Sequence, residues 1–319
     1  MGIADNLKTG LKLPVIAAPM FLVSGPDLVI AACKSGIIGT FPALNQRTSE
    51  GYADWLEQIS AALSPDDARY GVNLIVHKTN SRLEADLKLT VDHQVPLVIT
   101  SLGAVSEVVD SIHSYGGVVF HDVISVRHAE KAAEAGADGL ILVCAGAGGH
   151  AGTLNPFALL GEVRRFFKGT IILSGALSTG RDVAAARLMG ADLAYMGTRF
   201  IATREAMAQE AYKAMLLESA AKDIVYTPAV SGVAASFLGA SLQANGFTPE
   251  ILAGEKPAMD MAHEMHEEAK AWKTVWSAGQ GVGNIEDIVP VADLVERLRT
   301  EYEEAGADFV QNFNAGTVT

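Results

Sequence analysis

Between about residue 13 and residue 200 the chain alternates two patterns. Short runs of consecutive apolar residues are separated by longer stretches whose apolar positions recur every three or four residues. An apolar run without polar alternation marks a strand buried on both faces; the longer period marks a helix with one buried face. Eight runs read as strands: Val15–Ala17, Ile37–Thr40, Tyr70–Ile75, Leu97–Thr100, Val118–His121, Gly139–Val143, Thr170–Ser174 and Leu193–Met196. The stretches between them read as helices. Ser49–Leu63 gathers Tyr52, Trp55, Leu56, Ile59 and Leu63 on one face, and Ser81–His93, Ser106–Tyr115, Val126–Ala135 and Arg181–Met189 behave alike. Pro156–Phe167 opens with Pro at its first position behind an Asn155 cap. Three helix–strand joins, "KSGIIGT", "EAGADGLIL" and "LMGADLAYMG", each place Gly at a helix end, as a repeated αβ unit would. Eight such units predict an α/β fold, a closed (β/α)8 TIM barrel, in preference to an open doubly wound sheet.

The rhythm breaks after Gly197. Residues 203–222 read as one long helix, and 226–250 are Gly- and Ser-rich without a strand period. Residues 258–275 read as helical, 277–290 as a loop, and Val291–Ala305 as an amphipathic helix that returns to the barrel. The expected organisation is a barrel from residues 1–202 plus 284–319, with 203–283 forming a helical cap inserted before the last helix.

Composition narrows the function. With 319 residues, 49% hydrophobic and 19% charged, the chain is not of the disordered class. A net charge of −13 repels polyanions, so neither nucleic acid nor an anionic membrane is an expected partner. Two distant cysteines, Cys33 and Cys144, exclude a disulfide scaffold and a cysteine-rich zinc site, and a reducing cytoplasmic setting is expected. The apolar run 13–23 follows Lys8 and Lys12 like an export signal, but Pro14 and Pro19 break it.

Barrel ligands bind where strands end, so the residues just beyond each strand carry the candidate chemistry. "LSGALSTG" and "YMGTRF" are short Gly-bearing turns after the seventh and eighth strands. Each alone reads as a tight turn; as a pair in that place they read as a phosphate site, with the Ser174 and Thr198 hydroxyls as added donors. The loop "CAGAGGHAG" sets His150 among Gly146, Gly148, Gly149 and Gly152. Those glycines admit a flat ligand, and a histidine there can act as base, proton donor or partner to an anion. The loop misses the dinucleotide spacing, because its third Gly arrives one residue late and Pro156 opens the next helix. His263, His266 and Glu267 form H-E-x-H, not a zinc-protease motif, and read as a solvated face. Lys78 is a weak Schiff-base candidate, and no metal site is expected.

The ordered set "APM" at 18–20, "GVN" at 71–73, "AGGHAG" at 147–152, "SGAL" at 174–177 and "MGTRFIAT" at 196–203 resembles the nitronate monooxygenase family of FMN-dependent TIM-barrel enzymes, formerly 2-nitropropane dioxygenases. The likeness runs from Leu13 to about Arg204 and more loosely through "AGQGVGNIEDIVPVADLV". It implies that Ala18, Pro19 and Met20 line the isoalloxazine, that Asn73 hydrogen-bonds it, and that Gly148 and Gly149 pass over it. It further implies that Ser174, Gly175, Ala176, Gly197 and Thr198 hold the FMN phosphate, with His150 as the catalytic residue. Two positions depart from the pattern. Gly146 stands where members often have Glu, and Asp122 where some related quinone reductases have Lys.

The expected activity is FMN-dependent oxidation of alkyl nitronates by O2 to carbonyl compounds and nitrite. The partners are then a small anionic organic substrate and O2, in a chain able to form a homo-oligomer. The alternative is an NAD(P)H-dependent flavin reductase of quinones or enoyl thioesters. A flavin-free barrel lyase or isomerase acting on a sugar phosphate, and a non-catalytic flavin carrier, complete the readings.

Overall fold

The computed structural model describes residues 2–77, 79–103, 106–253 and 274–315. Eight parallel strands close a barrel: β1 (Val15–Ala17), β2 (Ile38–Pro42), β3 (Tyr70–Ile75), β4 (Leu97–Ser101), β5 (Val118–Val123), β6 (Gly139–Val143), β8 (Thr170–Ser174) and β9 (Leu193–Met196). The intervening β7 (Gly149–His150) lies outside the barrel. Closure is made where Ile16 of β1 faces Tyr195 of β9. The chain is thus the expected (β/α)8 barrel, with each expected strand in place.

The unbroken apolar character of the strands has a direct cause. Successive side chains point to opposite faces. Ile16, Ile38, Leu97, Ile99, Phe120, Ile141, Ile172 and Leu193 fill the axis, while Val72, Val98, Val119, Leu140, Leu142 and Leu173 pack outward under helices. Both faces are dry. The filling stops at the carboxyl ends of the strands. Two residues beyond Ile99, Phe120 and Ile172 the same face carries Ser101, Asp122 and Ser174.

Seven helices follow the strands: α1 (Pro26–Ser35), α2 (Ser49–Ala62), α3 (Leu83–Asp92), α4 (Ser106–His113), α5 (Val126–Glu134), α6 (Pro156–Phe166) and α7 (Gly180–Met189). Asn155 caps α6 by accepting the Phe157 N–H at 2.9 Å. The C-terminal helix Val291–Ala315 takes the eighth place, burying Val291, Leu294 and Leu298 with Leu28 of α1 and Val183 of α7. It runs ten residues past its expected end at Ala305, through a solvent-exposed stretch that its amphipathic face did not require.

Two expectations beyond the barrel are corrected. Residues 203–222 do not form one helix; only Glu210–Leu217 is α-helical, with a 3₁₀ turn at Ala221–Asp223. The N–H groups of Arg204 and Met207 go instead to the carbonyls of Val289 and Val23, and Ala206 and Ala208 are buried against the barrel. Tertiary pairing overrides an Ala-rich helical tendency there. β10 (Ile224–Thr227) runs into the stretch read as lacking strands and β11 (Ala235–Leu238) lies within it; β11 pairs antiparallel with both β10 and β7, in the order β10-β11-β7. The helix expected at 258–275 lies outside the described residues except at its last two, and Lys78, His263, His266 and Glu267 lie outside them entirely. Among the described residues, no helix is long and apolar enough to cross a membrane.

Candidate active site at the barrel mouth

The loops after β1, β6, β8 and β9 meet over the carboxyl ends of the strands. The turn at Ala18–Ser24 is held rigidly. Ala18 N–H donates to the Met196 carbonyl at 3.0 Å, so the first loop is tied to the last strand. Asn45 Nδ2 donates to the carbonyls of Met20 and Ser24, at 3.1 and 2.7 Å, and its Oδ1 accepts the Leu22 N–H at 2.9 Å. Ala18 is buried, and Pro19 and Met20 are half-buried at the mouth. A Cβ added at Gly197 would lie 3.6 Å from Met20 Sδ and 3.7 Å from Ala18 Cβ, which places the first and eighth loops side by side.

Across the mouth, Ser174 ends β8 and is buried. Gly175 and Ala176 both take positive φ, at 132° and 57°. Ala176 carries that strain in a turn pulled toward Gly146, whose carbonyl accepts its N–H at 3.2 Å. The Ala176 amide is therefore spent on the protein. Thr198 Oγ1 accepts the Gly279 N–H at 2.9 Å and keeps its own O–H to give. The helical turn Thr198–Ile201 is anchored by the buried Arg199, which reaches Asp287 Oδ1 at 2.7 Å.

His150 is exposed at the rim of the mouth, in β7. Its backbone faces Ala235 of β11, and Tyr226 Oη of β10 donates to the Ala151 carbonyl at 2.8 Å. Desolvation by the surrounding loops lowers its pKa below the ordinary histidine value, which favours the neutral imidazole. It is thus suited to accept a proton rather than to serve as a fixed cation.

On β3, β4 and β5, Asn73, Ser101 and Asp122 occupy the ends of three adjacent strands. Asn73 Nδ2 donates to the Ile99 carbonyl at 3.2 Å and to Ser101 Oγ at 2.7 Å. Ser101 Oγ donates to Asp122 Oδ2 at 2.6 Å. Burial raises the Asp122 carboxyl to about 6 against the Ser101 hydrogen bond, and its Oδ1 is sealed from solvent without a partner.

The structure therefore gathers Ala18, Pro19, Met20, Asn73, Gly148, Gly149, His150, Ser174, Gly175, Ala176, Gly197 and Thr198 at one end of the barrel. The sequence reading missed what stitches them together. Residues 277–281 lie over three loops at once: Gly279 N–H donates to Thr198, Gln280 N–H to the Gly146 carbonyl at 2.8 Å, and the Gly281 carbonyl accepts Ser178 Oγ at 2.8 Å. A Cβ added at Gly148 would lie 2.8 Å from the Gly279 nitrogen, so that crossing admits only glycine. Tyr212 stacks on Trp276 at 5.0 Å and donates to the Ser277 carbonyl, fixing the start of the segment. The one signal of it in the sequence was the Gly-Gln-Gly cluster before the last helix.

The family model for nitronate monooxygenases matches residues 48–301, most of the chain and this site apart from Ala18, Pro19 and Met20. The chain belongs to the nitronate monooxygenase family. It is accordingly an oxidoreductase of a generally flavin-dependent family. A nitronate monooxygenase of Paraburkholderia phytofirmans is 26% identical, the match covering 93% of this chain and 94% of that protein. A (3aS,4S,5R,7aS)-5-hydroxy-7a-methyl-1-oxo-octahydro-1H-indene-4-carboxyl-CoA dehydrogenase of Rhodococcus jostii is 27% identical over 70% of this chain, a stretch that spans only 62% of that dehydrogenase. The solved nitroalkane oxidase of Streptomyces ansochromogenes superposes with a TM-score of 0.82 at 24% identity, covering 96% of this chain and 100% of that one, and shares the fold.

Proposed function

We propose that the chain oxidises alkyl nitronates with O2, using FMN, to carbonyl compounds and nitrite. The observation that carries this reading is the convergence of the His150 loop with the loops at 174–176 and 197–198 under one strap, residues 277–281. The donor set suits a flavin mononucleotide. Ala18, Gly148, Gly149, Gly175 and Gly197 bring no bulky side chain to the mouth, which suits close approach of a flat ring. Ser174 and Thr198 offer hydroxyl donors to a phosphate on one side, and the Asn73 amide sits on the other.

FMN would supply the redox chemistry, which no side chain here can perform. The chain's own part is binding and proton handling. Neutral His150 would accept a hydrogen bond or, for a neutral nitroalkane, take the α-proton on a ring nitrogen. The loops at 18–20 and 148–149 would exclude water from the reacting face. Residues 203–283 we assign as a cap that selects substrate, since β10 and β11 carry the histidine strand.

The test is the visible spectrum of the purified protein, followed by anaerobic mixing with propyl nitronate, NADH or NADPH. Yellow protein bleached rapidly by the nitronate supports the reading, and colourless protein that takes up no FMN overturns it. Rapid bleaching by a pyridine nucleotide favours the second reading, an NAD(P)H-dependent reductase of quinones or enoyl thioesters. The Rhodococcus relative, named for a carboxyl-CoA substrate, supports that alternative.

A further inference from the structure

Asp122 is a half-buried carboxyl at the mouth, with one oxygen sealed from solvent, that the proposed chemistry leaves unused. It lies on the axis-facing side of β5, two residues beyond Phe120. Its hydrogen bonding is directional. The Ile99 carbonyl can only accept, which fixes Asn73 Nδ2 on that side, and Nδ2 then donates to Ser101. Ser101 must in turn give its own proton to Asp122 Oδ2. That leaves Oδ1 as the place for a proton, and Oδ1 is sealed from solvent with no partner.

The groups around it supply no countercharge. Ser101 on β4 is neutral. Ile141, its register partner on β6, is apolar. Tyr195 on β9 feels the Asp122 charge, which together with burial holds its phenol neutral. His121 precedes Asp122 but faces outward, with Nδ1 2.7 Å from Thr100 Oγ1. His150 lies in the loop after β6, the strand paired with β5, and burial lowers its pKa; at the same end the Cys144 thiol is pushed up to about 12 by burial, and His77 Nδ1 lies 2.8 Å from Thr79 Oγ1. Among the described residues, no cation contributes to the titration of Asp122, and burial alone raises it.

We propose that Asp122 is the charge-balancing residue of the site: it takes up one proton from solvent on Oδ1 when an anion occupies the mouth, and so makes anion binding proton-coupled. An ionised Asp122 would repel a second negative charge in the same dry region, and the cheapest relief is protonation. The effect reaches the mouth through Ser101 and Asn73, so Asp122 is a positioning residue and not a catalytic one. It would set the preference between an anionic nitronate and its neutral nitroalkane, favouring the anion at lower pH. The identity of that anion rests on the function proposed above; the proton coupling does not.

The test uses nitrite as a non-reacting anion and the protein as purified. In the wild type, the Kd for nitrite should rise about tenfold per pH unit above about pH 7, the slope for uptake of one proton. In Asp122→Asn the slope should flatten and nitrite should bind more tightly than in wild type at high pH, while His150→Gln should keep the slope. An unchanged slope in Asp122→Asn overturns the proposal, as does its loss in His150→Gln alone. Difference infrared spectroscopy with isotope-labelled aspartate gives a second readout that needs neither turnover nor colour. A protonated carboxyl band should grow when nitrite is added, and its absence in wild type overturns the proposal even if Asp122→Asn fails to fold. A colourless protein would sink the flavin reading and leave this measurement intact.

Discussion

Gly279 and Thr198 are 81 positions apart in the chain and share a hydrogen bond of 2.9 Å at the mouth of the barrel. The bond ties the strap at 277–281 to the end of β9, beside the residues offered to a phosphate. Thr198→Val removes both this acceptor and the hydroxyl donor. With about 1 kcal/mol per hydrogen bond, flavin affinity should fall about tenfold or more. Equilibrium dialysis of the released FMN measures it.

Gly148→Ala should be worse than its single methyl suggests. The new Cβ would lie 2.8 Å from the Gly279 nitrogen, and backbone is pressed against backbone there. Overpacking of this kind costs about 1–3 kcal/mol. Thermal melts should drop, and flavin retention should fall with them, whereas Gly161→Ala, inside α6 where a Cβ meets nothing, should melt slightly above wild type.

His150→Asn should keep its colour and lose turnover, by about 10²–10⁴-fold if the imidazole is a base. The loss should be larger for a neutral nitroalkane than for a preformed nitronate, which needs no deprotonation. Equal losses on both substrates would assign His150 to binding alone.

The pH profile has a defined sign. Desolvation lowers the His150 pKa below its ordinary 6.5, so the base form persists into mildly acid solution. On neutral nitroalkanes kcat/KM should fall toward acid with a midpoint below 6.5. A midpoint at or above 6.5 would contradict this environment.

His121 and Asp122 are consecutive on β5 and oppose each other in stability. Burial and His128 lower His121 to about 4, so the unfolded chain binds the proton more readily and stability falls as pH drops from 6.5 to 4. Burial raises Asp122 from 3.8 to about 6, so its contribution is full below 3.8 and is lost as pH rises toward 6. Each shift corresponds to roughly 3 kcal/mol, and between about pH 4 and 6 the two cancel. Asp122→Asn should therefore stabilise the protein at neutral pH and expose a steep acid loss, read by urea denaturation at several pH values.

Much of this was legible because parallel strands buried on both faces write themselves as bare apolar runs. Gly139–Val143 and Thr170–Ser174 needed no tertiary knowledge to be found, and the strand ends and loops there placed His150 and Ser174 at one rim. What stayed hidden depends on distant partners. β11 (Ala235–Leu238) is a strand only because Gly149–His150 and β10 pair with it. Residues 203–209 avoid the helix only because Val23 and Val289 offer carbonyls. Asn45 looks like any loop asparagine until the turn at Met20–Ser24 is laid against it. The Asn73–Ser101–Asp122 chain crosses three strands, and no local pattern announces it.

The pairing of His150 with Ala235 has a consequence for how such proteins diversify. The imidazole hangs from a ribbon whose other two members belong to the region above the barrel. If His150 is the base and that region selects substrate, as proposed, a change there would also re-aim the imidazole, and grafting the region from one relative to another should transplant reactivity along with selectivity.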